Sequence, residues 1–210
     1  VSKNHLPYNK SIFNLVNIMR KLGLEMGKGI NNEFTNYQGI NDYNNIPPQT
    51  IPEGKQKENA RIIMNFLMKN CNIGGIPFNK IMAAAAVGNF MVESNGCNPG
   101  AIEFPNNPQS GGMGICQWTG QRRRDGVNYL NKRFNKNYSE IIEFNLNEQL
   151  ALLKYELDGA YYNRALKNTN FSEMSDIAEA TKIFELKFEG ASDPHMERRI
   201  GYAKSLINLF

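Results

Sequence analysis

An apolar run near the middle of the chain constrains the fold more than any other feature. The segment Ile81-Met82-Ala83-Ala84-Ala85-Ala86-Val87 is apolar on every side of a helix, and such a helix has to be buried among other elements. Its alanines let neighbouring helices approach closely. Pro77 suits the first turn of this helix, which we expect to run to about Ser94.

Amphipathic patterns on both sides of this run predict the helices that enclose it. Glu58 to Asn70 places apolar side chains on one side of a helix. Residues 95–118 form a Gly/Pro/Asn-rich loop, and only this region has room for short strands. We therefore predict an α+β, predominantly α-helical fold with a small loop/β region around 95–118. Further helices are predicted at 122–134, 147–158, 175–188 and 196–209.

The first 55 residues follow a different pattern. Residues 10–24 have the apolar spacing of one amphipathic helix, whereas residues 25–54 combine Gly and Pro with many Asn. We predict an N-terminal extension over 1–55, consisting of a helix and a linker, and the main domain over 56–210. Because the chain starts at Val1, we expect a processed or excised piece of something longer.

Charge and cysteine content argue against several classes of protein. The net charge of +4 suits a polyanionic surface but shows no dedicated basic patch and no nucleic-acid motif. No apolar run is long enough to span a bilayer. Because the three cysteines form no Cys-x-x-Cys pair and the two histidines lie far from them, we expect no metal. We expect separate, reduced, half-buried thiols, with a pairing of Cys97 and Cys116 as the alternative.

A carboxylate stands at the end of the buried apolar helix. Glu93 directly precedes the polar turn Ser94-Asn95-Gly96. Desolvation and the negative end of the helix dipole both disfavour a charged Glu93, so we expect a carboxyl group that stays protonated near neutral pH. A glycosidic leaving oxygen requires such a proton donor. Taken alone, Glu93 is better explained as an ordinary exposed residue of a last helical turn.

A glycine-rich turn leads into Gln117 and Trp118 about twenty residues later. Glycines such as Gly112 and Gly114 let the backbone approach a ligand closely, although a plain hairpin explains them better when they are considered alone. Gln117 can donate and accept hydrogen bonds, which suits the N-acetyl group or hydroxyls of a sugar. Trp118 is the only tryptophan. It either offers a flat face to a pyranose ring or packs under the loop as a core aromatic.

These segments together resemble the phage tail lysozyme family, which is related to goose-type lysozymes and lytic transglycosylases. The resemblance extends over about Glu58 to Leu209 and leaves residues 1–55 unmatched. It rests on Glu93-Ser94, Asn98-Pro99, the pattern Gly112-x-Gly114-x-x-Gln117-Trp118, and Phe188-Glu189-Gly190-Ala191-Ser192-Asp193 followed by Arg198.

The resemblance implies a lysozyme-like fold over 56–210 and a peptidoglycan hydrolase. The bond cleaved would join N-acetylmuramic acid to N-acetylglucosamine, with Glu93 as general acid and with no metal or cofactor. A location on the phage tail of the virion is implied, with action outside the cell on the bacterial wall. Partners would be peptidoglycan and either other tail proteins or the rest of a longer tail polypeptide. We expect the substrate-binding residues to be Ser94, Gly114, Gln117, Trp118 and Glu189.

Several points stay open at the level of the sequence. A second catalytic carboxylate is not evident, and each candidate taken singly also has a structural explanation. The first alternative function is a lytic transglycosylase of a conjugation or secretion machine, in which the substrate's own hydroxyl attacks. The second is a non-catalytic wall-binding tail module. The candidates for the second carboxylate are Glu103, Asp125, Glu189 and Asp193.

The basic run Arg122-Arg123-Arg124 follows the Gln-Trp segment directly. Its guanidinium groups could meet the carboxylates of muramyl peptides or the phosphates of the wall. A solvated first turn of a helix explains the run better.

Overall fold

The computed structural model describes residues 43–191 and 195–210. The helix predicted at 10–24 lies outside these residues. The compact unit Tyr43–Phe210 contains seven α-helices among its described residues and one two-stranded antiparallel sheet. The helices are α1 (Lys55–Asn70), α2 (Lys80–Glu93), α3 (Gly120–Phe134), α4 (Leu146–Asp158), α5 (Ala160–Lys167), α6 (Ile177–Phe184) and α7 (Met196–Leu209), and the strands are β1 (Asn72–Ile73) and β2 (Ile76–Pro77).

Helix α2 is the buried centre of this unit, as its apolar sequence predicts. Every residue from Met82 to Met91 is buried, and the helix packs most extensively on α7, then on α6 and α1. At Gly88 an added Cβ would lie 2.7 Å from the Arg199 carbonyl oxygen and 2.8 Å from the Ala203 Cβ. Small side chains along α2 therefore allow α7 to approach its backbone.

The start of α2 differs from the prediction. Asn79 is the N-cap, and its Oδ1 accepts a hydrogen bond from the Met82 amide at 2.9 Å. Pro77 lies before this cap and pairs with Asn72 across β1 and β2. The prediction that Pro77 occupies the first helical turn is therefore wrong, because an asparagine side chain that satisfies a free helical N–H sets the start instead.

The predominantly helical α+β class is confirmed, but the strands lie elsewhere than expected. The sheet is the hairpin of β1 and β2, whose turn uses Gly74 and Gly75 at φ 62° and 86°. Within 95–118 the β pairing of the described backbone consists of two isolated bridges, from Ile102 to Met113 and from Met113 to Trp118. Tight turns break this loop into pieces too short for a ladder.

Most of the later helices agree with the sequence pattern, with two exceptions. Helix α5 was not predicted, because its eight residues are fewer than the window over which apolar periodicity is recognised, and it buries only Leu166. The predicted helix at 175–188 is α6 followed by a wider π-helical turn, Glu185–Glu189, in which the Gly190 amide bonds the Glu185 carbonyl at 2.7 Å. No helix among the described residues is both long and apolar enough to span a membrane.

Residues 43–54, which the sequence analysis assigned to the linker, pack against α7. The Gln49 amide bonds the Gly201 carbonyl at 2.9 Å, and the Ser205 hydroxyl bonds the Gln49 carbonyl at 2.6 Å. The Lys204 ammonium donates to the carbonyls of Tyr43 and Ile46. Ile51 is buried. The predicted domain boundary at residue 55 stays a prediction, but the segment before it contributes contacts to the helical unit.

Candidate active site

A cavity of about 620 Å³ opens where the end of α2 meets the start of α3, the π-helical turn and the start of α7. A volume of this order is usual for sites that bind small molecules or parts of polymers. Its lining is rich in charged and polar side chains. The residues that line it are Val92, Glu93, Glu103, Cys116, Gln117, Thr119, Arg122, Glu189, Gly190, Ala191, His195 and Arg199.

Glu93 is the last residue of α2, and its carboxyl group forms an ion pair at the cavity wall. Arg199 Nη2 donates to Glu93 Oε1 at 2.6 Å. The side chain of Arg199 is 2% exposed, and that of Glu93 is 15% exposed. The expectation that Glu93 stays protonated by itself did not include this arginine.

Asn89 fixes the arginine that holds Glu93. Arg199 Nη1 donates to Asn89 Oδ1 at 3.1 Å, while Asn89 Nδ2 donates to the carbonyls of Ala85 and Thr181 at 2.8 and 3.2 Å. Asn89 is fully buried. Its single amide therefore ties α2, α6 and α7 together one helical turn before Glu93, and the position of Glu93 is set by packing of the core.

The turn after Glu93 is held from the side of α1. Asn95, Gly96 and Cys97 all have positive φ, at 48°, 96° and 57°. The side chain of Asn59 donates to the Cys97 carbonyl at 3.0 Å, and that of Gln56 donates to the Asn95 carbonyl at 3.3 Å. Consecutive left-handed residues are costly unless their surroundings impose them. These bonds impose the turn and end α2 at Glu93.

Gln117 is brought to the cavity by a second strained turn. Its φ is 45°, and its Nε2 donates to the Gly114 carbonyl at 2.9 Å. A Cβ on Gly112 would lie 2.7 Å from the Gln117 Cβ, so only glycine fits against this side chain. Gln117 thus lines the cavity, in agreement with its predicted place in the cleft, and its substrate contact stays a prediction.

Three of the expected substrate-binding residues are structural instead. Trp118 is fully buried, and its indole N–H donates to Glu156 Oε2 at 2.9 Å, so its face packs in the core and is not available to a sugar. Ser94 is buried, and its hydroxyl bonds the Phe90 carbonyl at 2.8 Å at the helix end. Gly114, at φ 76°, lies against Gln149 and Ile141 under the turn. None of the three is among the residues that line the cavity.

Arg122 lies at the cavity and not in a solvated helical turn. Its Nε and Nη2 donate to the two oxygens of Glu156 at 2.7 and 2.9 Å. Its guanidinium carbon lies 4.7 Å from the ring centre of Phe188 and 5.3 Å from that of Tyr162. Stacking and a bidentate ion pair hold this charge at a fixed place on the wall.

Glu189, at the end of the π-helical turn, is a second carboxyl group of the cavity. Its Oε1 is buried and has no hydrogen-bond partner among the described residues. Burial, and after it the negative charge of Glu93, raises the pKa of Glu189 well above its usual range, against the effect of Arg122 and Arg199. The expectation that Glu189 faces the cleft agrees with this position, while a direct substrate contact stays a prediction.

The region that forms this site matches a known family. A family model described as phage tail lysozyme matches residues 58–210. The chain belongs to the phage tail lysozyme family. Comparison with curated proteins gives no significant match. Within the family match lie Glu93, Gln117, Glu189 and Arg199, and the cavity that they line.

The other candidates for the second carboxylate have different surroundings. Glu103 lines the cavity, but its Oε2 accepts the Gly112 amide at 2.8 Å and supports the loop. Asp125 is exposed on α3 and accepts from Gln121, and it does not line the cavity. Asp193 lies outside the described residues. Of these candidates, Glu189 has a buried carboxyl oxygen, Oε1, and lines the same cavity as Glu93.

The cysteines are unbridged and more deeply buried than expected. Cys71, Cys97 and Cys116 are all free thiols. Burial raises the pKa of Cys71 to about 12 and raises the pKa values of Cys97 and Cys116 as well. In the described part of the chain, no group of three or more His, Cys, Asp or Glu side chains is placed to hold a metal ion.

Sequence reasoning did not identify Arg199, Asn89 or Glu156 in this lysozyme-family domain. It named Arg198, which is exposed, whereas Arg199 is buried. Arg199, Ala203 and Leu206 are all buried in α7, and their helical spacing is the pattern that could have placed Arg199 on the inner side.

Proposed function

We propose that this protein is a peptidoglycan hydrolase that cleaves the bond between N-acetylmuramic acid and N-acetylglucosamine, with Glu93 as general acid. The supporting observation is that the Glu93 carboxyl group, at the end of a rigid buried helix, meets a polar cavity of about 620 Å³ within the region of the family match. A proton donor held on a rigid element beside a substrate-sized cleft is the arrangement that glycosidic cleavage requires.

In the proposed reaction, the bond between the anomeric carbon of N-acetylmuramic acid and the bridging oxygen of N-acetylglucosamine breaks. Glu93 gives a proton to the bridging oxygen as it leaves. Water adds a hydroxyl group to the anomeric carbon and returns a proton to the site. Gln117 and Glu103 line the same cavity and supply hydrogen-bonding groups for sugar hydroxyls or N-acetyl groups.

We also propose that the protein acts from a phage tail, outside the cell, and opens the bacterial wall locally during entry. Its partners would be peptidoglycan and other tail proteins or a longer tail polypeptide. The description of the matching family supports this role. A test is to incubate purified virions with isolated walls and to ask whether antibodies against this chain block the release of soluble wall fragments.

The catalytic proposal is tested by Glu93→Gln in a zymogram and in a soluble muropeptide assay. The amide oxygen of glutamine can still accept a hydrogen bond from Arg199, so the variant retains a partner for the buried guanidinium. Loss of the acid should lower the rate by roughly a hundredfold or more. Glu197→Gln is the matched control, because Glu197 is exposed on α7. Lysis by folded Glu93→Gln at the wild-type rate would contradict the proposal.

Mass spectrometry of the released fragments separates hydrolysis from the alternative chemistry. Hydrolysis leaves products that contain the elements of one added water. A lytic transglycosylase would instead form a 1,6-anhydro ring from the substrate's own hydroxyl, without that water. A wild-type protein that binds walls but releases no fragments would be a non-catalytic module.

A further inference from the structure

Glu93 and Glu189 reach the same cavity from different elements. Glu93 ends α2, and Glu189 ends the π-helical turn Glu185–Glu189. Glu93 accepts the Arg199 bond through Oε1 and accepts no other hydrogen bond from the part of the chain that the structure describes. Glu189 Oε1 is buried and lacks a partner among the same residues. A buried carboxylate oxygen without a donor is costly, so a neutral Glu189 is favoured.

The charges around the cavity show a surplus of carboxyl groups. Arg122 forms an ion pair with Glu156 at 2.7 Å, and Arg199 forms one with Glu93 at 2.6 Å. Two buried carboxyl groups therefore remain without an arginine of their own. These are Glu185, whose Oε1 accepts the Ala191 amide at 2.9 Å, and Glu189.

The direction of the pKa shift of Glu189 agrees with this surplus of carboxyl groups. The pKa of Glu189 is raised well above its usual range, first by burial and then by the negative charge of Glu93. Glu156 adds to this effect, whereas Arg122 and Arg199 oppose it. Two carboxyl groups that interact strongly lose their protons as a pair and not independently. The other titratable side chains that line the cavity are Glu103, Cys116 and His195.

We propose that Glu93 and Glu189 act as one pair that holds a single proton, with Glu189 keeping the proton in the resting enzyme and supplying it to Glu93 for cleavage. This inference rests on the proposed function, because Glu93 is the group that meets the substrate. Glu189 does not contact the substrate in this proposal; it is a positioning residue that holds the proton until Glu93 receives it. The pair explains how Glu93 can be a general acid although Arg199 favours its charged form.

The proton moves in a balanced cycle. The O–H bond of the Glu189 carboxyl group breaks as an O–H bond forms on Glu93, and Glu93 then protonates the leaving bridging oxygen. The attacking water keeps its hydroxyl on the anomeric carbon and releases one proton, which returns to the pair. Between these steps, the negative charge on Glu189 is stabilised by Arg122 and Arg199.

The first test is the pH dependence of kcat/KM on soluble glycan chains for wild type, Glu189→Gln and the surface control Glu197→Gln. Without Glu189, the site loses the group that keeps the proton in the resting enzyme, while Arg199 still donates to Glu93. The alkaline limb of the profile should therefore move to lower pH by about one unit or more in Glu189→Gln. Activity at the acidic end should stay within about tenfold of wild type. Glu197→Gln should keep the wild-type profile.

Two results with Glu189→Gln would overturn the pair. An unmoved alkaline limb would mean that Glu189 only fills space, and a folded variant that is inactive at every pH would mean that Glu189 takes part in the reaction directly and does not act through Glu93. The proposed function is tested separately by Glu93→Gln, which should be inactive at every pH. If Glu93→Gln is active, the proposed function is wrong. If Glu93→Gln is inactive but the pH profile of Glu189→Gln matches that of wild type, only the proposal of a proton-sharing pair is wrong.

A second measurement does not depend on activity or on the folding of Glu189→Gln. Carbon-13 NMR of the glutamate carboxyl groups, assigned by through-bond correlation, follows Glu189 through a pH titration. In wild type, Glu189 should stay protonated above the ordinary glutamate range. In Glu93→Gln, its midpoint should fall by about one unit or more, because the neighbouring negative charge is gone. A midpoint that is the same in both proteins would contradict the pair.

Discussion

Gly88 on α2 lies directly against Ala203 on α7, so that a Cβ on Gly88 would sit 2.8 Å from the Cβ of Ala203. The same added atom would lie 2.7 Å from the carbonyl oxygen of Arg199. The close contact of these two helices therefore sets the distance between Glu93 on one helix and Arg199 on the other.

Gly88→Ala should force α7 away from α2. Alanine usually favours a helix by up to about 1 kcal/mol relative to glycine, but the clash here should outweigh that gain and lower the free energy of unfolding by about 1–3 kcal/mol. Denaturant unfolding measures this change, and wall lysis should fall with it. Gly100→Ala is the control, because its nearest neighbour would be 3.5 Å away. A Gly88→Ala protein as stable as Gly100→Ala would contradict the close packing.

Arg199→Met should be strongly destabilising, because it leaves the carboxylate of Glu93 without its partner. Removal of one member of a buried ion pair costs about 3–5 kcal/mol. The double variant Arg199→Met/Glu93→Gln should recover part of this loss, since no unpaired charge remains. A double-mutant cycle on unfolding free energies measures the coupling. Additive effects of the two changes would show that the ion pair is not energetically coupled.

Gln117→Ala should weaken lysis less than Glu93→Gln does. It removes a group that positions the sugar and leaves the proton donor, and errors of positioning cost up to about a hundredfold in rate. The matched control is Gln121→Ala, because Gln121 is exposed on α3. Steady-state kinetics on soluble glycan chains give kcat and KM for each protein. If Gln117→Ala and Gln121→Ala behave alike, Gln117 does not contact the substrate.

The stability of the folded protein should fall as the pH rises through the raised pKa of Glu189. Above the ordinary glutamate pKa of 4.5, the folded state binds this proton more tightly than the unfolded chain does. The stabilisation is therefore complete below that pH and is lost as the pH increases, by at most about 1.4 kcal/mol per pH unit for one group. Glu189→Gln should flatten the curve of unfolding free energy above pH 4.5, the ordinary glutamate pKa. A variant curve parallel to wild type would count against a neutral Glu189.

A chain that begins at Tyr43 should be more stable than one that begins at Lys55. The longer chain keeps the bonds from Gln49 to α7 and the buried side chain of Ile51, whose burial alone contributes about 1.5–3 kcal/mol. Both chains contain the residues of the candidate site, so both should retain lytic activity at low temperature. Thermal unfolding compares them. Equal melting temperatures would show that residues 43–54 add nothing to the helical unit.

The sequence predicts the buried helix and its final glutamate because both depend on local pattern. An all-round apolar run has to be enclosed, and Glu93 follows it directly. The partners of Glu93 could not be predicted in the same way, because Arg199 is 106 residues away and its approach depends on small side chains at the contact of two helices. The role of Trp118 could not be predicted either. An indole can stack on a sugar ring or pack in a hydrophobic core, and the hydrogen bond to the carboxylate of Glu156, which is distant in the sequence, accompanies its place in the core.

The place of Glu189 depends on the number of residues in its turn as much as on their identity. A π-helical turn contains one residue more than the α-helical turn that it replaces, and each residue of an α-helix advances the chain by about 100° around its axis. Shortening Glu185–Glu189 by one residue would rotate Glu189 away from the cavity even though the glutamate itself is kept. Single insertions and deletions in this stretch should therefore damage the site more than most substitutions.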